Sequence, residues 1–263
     1  MAPLDTLSHA ADDRRAHDGT ESDTEARVAR LAARLAARLN GADARAAIAG
    51  ARAEFGDRLA LVSSFGAESA VLLHLAASVD PTIPVLFIDT GKLFPATLRY
   101  RDTLVARFGL TDVRTLTPAA EDLAADDPSG ALWLRDTDAC CDIRKVRPLA
   151  RALAGFDAWI SGRKRFQASS RSDIPLVEAD GPRVKINPLA DWDPGDLRAH
   201  ARAEGLPPHP LVAKGYPSIG CMPCTTPVAD GEDPRAGRWR GQEKVECGIH
   251  VALPQENEQG AGI

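Results

Sequence analysis

The alternation of short apolar runs with stretches of helical spacing restricts this chain more than any other feature. Leu59 to Ser63, Pro84 to Ile88, Val113 to Leu116 and Ala158 to Ser161 have strand length, and Ala70 to Ser78, Pro95 to Phe108 and Asp142 to Leu153 between them carry helical periodicity. Strands alternating with helices imply an α/β fold whose parallel sheet has helices on both faces. In such sheets ligands bind beyond the carboxyl ends of the strands. Those ends carry SSFGAES (63–69), DTGK (89–92) and SGRKRFQ (161–167), so three polar loops are expected to converge on one crevice.

The flanking segments are read differently. Val28, Leu31, Leu35 and Leu39 predict one or two amphipathic helices from Asp23 to about Arg52. Residues 1–22 are acidic and polar with no apolar h-region, so a disordered leader is expected rather than a signal peptide, and with it a cytoplasmic location. No apolar run approaches the roughly 18 residues of a membrane span. After Gly162 come two short strand candidates, Pro175 to Val177 and Val184 to Ile186, and a helix from Asp193 to Glu204. The Pro- and Gly-rich chain that follows has too little periodicity to pack alone, so a bound group is expected to order it. A net charge of -5 argues against general nucleic-acid binding, so any anion site must be local.

A chain of 263 residues can build a core without disulfides, and in a reducing compartment its five cysteines are better read as metal ligands or reactive thiols. Cys221 and Cys224 form a C-x-x-C loop suited to zinc or an iron-sulfur cluster. Cys140 and Cys141 are adjacent, and neighbouring helical side chains reach one centre only near a helix end, where the backbone can be distorted. Thr137 or Asp138 is the expected N-cap, which puts the pair in the first turn, with Lys145 one turn on adding positive charge. This suits a net-negative [4Fe-4S] cluster better than a zinc finger, with structural zinc or redox-paired thiols as the alternatives.

Basic side chains are concentrated in an otherwise acidic protein: Arg163, Lys164 and Arg165, then Arg171, then Arg235, Arg238 and Arg240. Guanidinium forks suit phosphate and sulfate oxygens, although any one of them can equally be a solvated surface residue. Trp239 is expected either to cover an adenine or to anchor the tail. Cys247, in VECGIH, stands apart from both pairs. Nearby positive charge from Lys244, Arg235 or Arg238 would make it a nucleophile, the adjacent Glu246 works against this, and His250 would bind an anion or hold the tail.

SSFGAES, the IDTG loop, CC followed by C-x-x-C, RAGRW and the terminal ECGIH, in that order, resemble the assimilatory adenylyl-sulfate (APS) reductase family, thioredoxin-dependent relatives of 3'-phosphoadenylyl-sulfate (PAPS) reductases. The resemblance runs from about Leu59 to His250. It implies an adenine nucleotide α-hydrolase-like (Rossmann-like) fold with a mobile C-terminal tail, a nucleotide- and cluster-binding domain over 23–228, and a flexible segment over 229–263. It also implies a [4Fe-4S] cluster on Cys140, Cys141, Cys221 and Cys224, and Cys247 as the catalytic nucleophile. Ser63, Ser64, Phe65, Gly66 and Thr90 are then expected around the nucleotide, and Lys145, Arg171, Arg235, Arg238 and His250 around the phosphosulfate. Family loops often read G-A-E-D where this chain has Ser69.

The implied activity is reduction of APS to sulfite and AMP by thioredoxin through an S-sulfocysteine, in sulfate assimilation and cysteine biosynthesis. The implied partners are an adenine nucleotide and thioredoxin, without nucleic acid or membrane, and a homo-oligomer is compatible with them. Alternatives are a PAPS or dual-specificity reductase, a non-catalytic iron-sulfur or zinc nucleotide sensor, and an ATP-using adenylating enzyme, which the absence of an S-G-G-x-D loop disfavours.

Overall fold

A computed structural model describes residues 9–250, with side chains from residue 22. Six strands form one sheet: β1 (Leu59–Ser63), β2 (Val85–Ile88), β3 (Val113–Leu116), β4 (Ala158–Ile160), β5 (Val177–Asp180) and β6 (Arg183–Ile186). Their order is β3-β2-β1-β4-β6-β5, and every pair is parallel except β5 with β6. The chain builds outward from β1 to β2 and β3, then returns to place β4 on the other side of β1. That reversal opens the crevice between β1 and β4 where doubly wound sheets bind ligands.

Alternation along the strands divides the core. Leu59 and Leu61 of β1, with Val85, Phe87, Ala158 and Ile160, face a large cluster built on α1 (His9–Arg38), α2 (Ala44–Phe55), α3 (Ser69–Val79) and α4 (Pro95–Phe108). Ala60 and Val62, with Leu86, Ile88 and Trp159, face the other way, against Leu149 and Leu153 of α8 (Arg147–Leu153). Between β3 and α8 lie three short helices, α5 (Ala120–Asp126), α6 (Leu132–Arg135) and α7 (Thr137–Cys141), and α9 (Pro194–Ala203) follows β6. Among the described residues no helix is long and apolar enough to cross a membrane.

Local chemistry sets the boundaries. Pro95 opens α4 and Gly109, at φ 64°, closes it. Asp193 caps α9 in a reciprocal capping box with Asp196.

Three expectations are corrected. The first helix begins at His9, so it takes in much of the segment read as a disordered leader, where Ala, Arg and Glu are good helix formers and no proline intervenes. The strand expected over Pro175 to Val177 starts at Val177 instead. Asn187 takes the carbonyls of Pro175 and Leu176, and a two-residue Gly181–Pro182 turn, with Gly181 at φ 56°, makes β5 and β6 an antiparallel hairpin. The N-cap of α7 is Asp136, whose carboxylate accepts from the backbone N–H of Asp138 and of Ala139. Cys140 and Cys141 therefore lie just beyond the first turn, where the helix widens into a π-turn over Asp142–Val146.

Candidate active site

The loop after β1 is bent by Phe65, a non-glycine residue at φ 47° whose N–H is held by Ser63 Oγ at 3.2 Å. Holding a bulky residue there costs on the order of 1–3 kcal/mol. Burial of its ring edge-on to Phe87, 5.3 Å between centroids, offsets that cost. Phe65 therefore points into the core and does not line the crevice, contrary to expectation; its backbone turn presents Ser64 and Gly66 instead. Glu68 clasps this loop to the one after β4, accepting from Lys164 Nζ at 2.8 Å and Gln167 Nε2 at 2.7 Å.

The loop after β2 reaches the cysteines. Thr90 is buried, and its Oγ1 lies 3.3 Å from Cys221 Sγ. Its carbonyl accepts from Arg144 Nη1 at 2.8 Å, and Arg144 Nη2 donates to Asp127 at 2.5 Å. Arg144, whose importance the sequence did not signal beyond its lying four residues after Cys140, thus ties the DTG loop to the cysteine helix. Leu93 and Cys221 form an antiparallel bridge, and Met222 N–H donates to Lys92 O, so the C-x-x-C segment is a backbone extension of the DTGKL loop. A second bridge, Thr225 to Arg238, and the Trp239 N–H to Cys224 O bond join RAGRW to it. Backbone pairing, rather than a bound group alone, orders this Pro- and Gly-rich chain.

All five cysteines are free. Burial, and then the neighbouring Cys141, Cys221 and Cys224 sulfurs, push the Cys140 thiol up to about 11, with Arg144 opposing. Burial also raises Cys141 and Cys224. Four mutually repelling sulfurs in a desolvated site are stable as thiolates only with added positive charge. Among the described residues no group of three His, Cys, Asp or Glu is gathered closely enough to hold one metal ion. The donor set fits a wide multi-iron cluster better than a single zinc, since a cluster spreads its ligands around several irons.

Lys145, at the end of the π-turn, approaches Cys141 Sγ at 3.5 Å. Burial works against its ammonium, yet the Cys221, Cys247 and Cys141 sulfurs hold its pKa above the ordinary value. Lys145 therefore lies between the paired cysteines and the lone one.

The tail folds over the crevice at three places. Trp239 is buried, with Arg238, Lys244 and Lys145 at 4.5, 5.7 and 5.9 Å from its ring, so it anchors the tail beside the cysteines. Arg171 grips Glu246 through two bonds of 2.7 Å, and Arg235 donates to Val245 O at 2.7 Å. Burial opposes the Glu246 charge, but Arg171 and Arg235 hold its carboxyl below the usual range. The His250 ring stacks parallel on Trp159 at 5.7 Å, and burial with the nearby Arg163, Lys185 and Arg171 keeps it neutral. It serves the tail as an anchor on the sheet as well as a wall of the cavity. Residues 251–263, the rest of the segment expected to be flexible, lie outside the described residues.

These parts enclose a cavity of about 290 Å³, near the lower end of the range of small-molecule sites. Ser63, Ser64, Gly66, Thr90, Lys145, Arg171, Arg235, Arg238, Cys247 and His250 all line it, as does Cys221. Cys140, Cys141 and Cys224 do not line it. Arg163, Lys164, Gln167 and Glu246 also line it; the sequence marked two of these only as basic and gave no sign of Gln167.

Residues 58–227 match the family described as phosphoadenosine phosphosulfate reductase domain. The chain is 58% identical over 202 residues to adenosine 5'-phosphosulfate reductase of Mesorhizobium japonicum, covering 77% of this chain and 80% of that one. It is 46% identical to phosphoadenosine 5'-phosphosulfate reductase of Gloeobacter violaceus, over 75% of this chain and 84% of that one. Among solved structures, phosphoadenylyl-sulfate reductase from Candida auris in complex with phosphate superposes with a TM-score of 0.62 at 25% identity, covering 74% of this chain and 96% of that one. FMN adenylyltransferase of Candida glabrata shares the fold at a TM-score of 0.51 and 14% identity, over 85% of this chain and 84% of that one.

Proposed function

This chain belongs to the phosphoadenosine phosphosulfate reductase family, and we propose that it reduces adenylyl sulfate to sulfite and AMP, with thioredoxin as electron donor, in sulfate assimilation and cysteine biosynthesis. The observation that carries this reading is the meeting of Cys247, Lys145, Arg171, Arg235 and Arg238 on one cavity beneath the glycine-containing loop of β1. APS is preferred over PAPS because relatives at 58% and 55% identity are named for it and because the chain carries the four paired cysteines. The relative named for PAPS, at 46% identity, supports dual specificity as the second reading.

The nucleotide lies against Ser63, Ser64, Gly66 and Thr90, with its anionic chain toward the arginines. The Cys247 thiolate attacks the sulfur of APS, a sulfur–sulfur bond forms, and the bond to the AMP oxygen breaks with its electron pair leaving on AMP. Lys145, Arg235 and Arg238 offset the negative charge that grows on the leaving phosphate. A thioredoxin thiolate then attacks Cys247 Sγ, and sulfite departs with the electron pair. The second thioredoxin thiol closes its own disulfide and frees Cys247. Both electrons come from the thioredoxin dithiol, in a cytoplasmic setting that keeps it reduced.

Cys140, Cys141, Cys221 and Cys224 are proposed to hold a [4Fe-4S] cluster, which when bound supplies iron charge to four buried thiolates and links the C-x-x-C segment to α7. Lys145 carries the electrostatic influence of that region to Cys247. The test is thioredoxin-dependent sulfite release from APS and from PAPS. A kcat/KM for APS well above that for PAPS is expected; release from PAPS alone would overturn the assignment, and comparable values would establish the dual reading.

A further inference from the structure

Glu246 poses a problem for any anion site built on this cavity. The Nε and Nη2 edge of Arg171 is given entirely to its carboxylate, and Nη1 is given to Gln167 at 2.6 Å. Arg235 lies 3.6 Å from the same carboxylate and donates to the carbonyl of the residue before it. Two of the cavity's arginines are thus engaged by the two residues that immediately precede Cys247. A planar carboxylate on a guanidinium fork has the same hydrogen-bonding geometry that a sulfate or phosphate oxygen pair would adopt there.

We infer that Glu246 is an internal anion: it occupies the Arg171–Arg235 fork in the ligand-free protein, and the anionic chain of the substrate takes its place. This rests on the reading that these arginines receive the substrate's anion. Glu246 is then a positioning residue for Cys247. While latched, it holds the thiol segment over the empty cavity and neutralises a carboxylate that would otherwise disfavour a neighbouring thiolate. When substrate enters, release of the latch frees the segment that carries Cys247, so arrival of the anion and presentation of the thiol are one event. The latch also weakens apparent affinity, because ligand binds only the unlatched fraction.

The test uses ADP, whose two-phosphate chain carries the charge but no reducible sulfur, and adenosine, which has the base and ribose without the anion. Their affinities are measured by calorimetry on full-length, anaerobically purified protein, wild type and Glu246→Gln, with Glu246→Asp as the charge-conserving control. Removing the competing charge should tighten ADP by roughly tenfold, leave adenosine unchanged, and leave Glu246→Asp near wild type. Unchanged or weaker ADP binding in Glu246→Gln, or an equal change for adenosine, would overturn the inference while wild-type binding of both ligands left the function standing. Failure of the wild type to bind either ligand would overturn both. A purely structural role for Glu246 predicts looser ADP binding, the opposite sign.

Discussion

Cys247 serves two partners, a nucleotide inside the cavity and a protein outside it, and its surroundings reflect both. It lines the cavity yet remains half-buried on a segment attached by side-chain contacts. Cys247→Ser should lower sulfite release by more than roughly a thousandfold while nucleotide binding and thermal stability stay near wild type. Lys145→Met, which removes the cation between Cys247 and Cys141, should slow single-turnover AMP release by roughly a hundredfold, with a smaller effect on KM. His209 makes a different point. It is buried with Nδ1 accepting from Leu211 N–H and Nε2 facing Thr97 Oγ1, and burial lowers its pKa to about 4. A histidine depressed in the folded state contributes stability that is complete above its unfolded value near 6.5 and is lost as pH falls from there toward 4. Denaturant titrations should therefore show wild type losing up to about 3 kcal/mol relative to His209→Leu across that window. A pH-independent difference would contradict the neutral, buried assignment.

At the level of elements, the strands were legible and the connections were not. Leu59–Ser63 and Val113–Leu116 match their expected spans because fully apolar or alternating runs between polar loops admit little else. Phe65 was misplaced because nothing in SSFGAES signals that its φ is positive, which turns the ring into the core. The hairpin β5–β6 was missed because Pro175 drew attention away from the Gly181–Pro182 turn. The cysteine pair was correctly placed near a helix distortion, but the distortion is a π-turn inside the helix and not its first turn. Pairing of RAGRW with the C-x-x-C segment depends on Gly237, where a Cβ would stand 2.1 Å from Thr226 O. Gly237→Ala should therefore detach Arg235 and Arg238 from the cavity, lower kcat/KM by at least roughly tenfold, and expose residues 229–250 to limited proteolysis. The sheet, which does not touch Gly237, should keep its far-UV circular dichroism.

For the molecule as a whole, a rigid sheet carries the nucleotide loops, and one continuous backbone path runs from the DTGKL loop through the C-x-x-C segment and RAGRW to the thiol. Removal of iron should therefore leave the sheet folded while loosening the tail. Anaerobic protein treated with an oxidant and chelator should keep its helical circular dichroism, lose visible absorbance, and be cleaved faster between 229 and 250. Equal protease resistance with and without iron would mean that backbone pairing suffices and the four cysteines have another use. The central claim is that Cys247 becomes covalently sulfonated by the nucleotide, and intact mass spectrometry tests it most directly. Anaerobic protein incubated with APS, and separately with PAPS, in the absence of thioredoxin should gain one sulfonate on Cys247 from APS, which reduced thioredoxin then removes as sulfite. An intact protein that binds nucleotide and carries its cluster, yet gains no adduct from either substrate, would contradict the account.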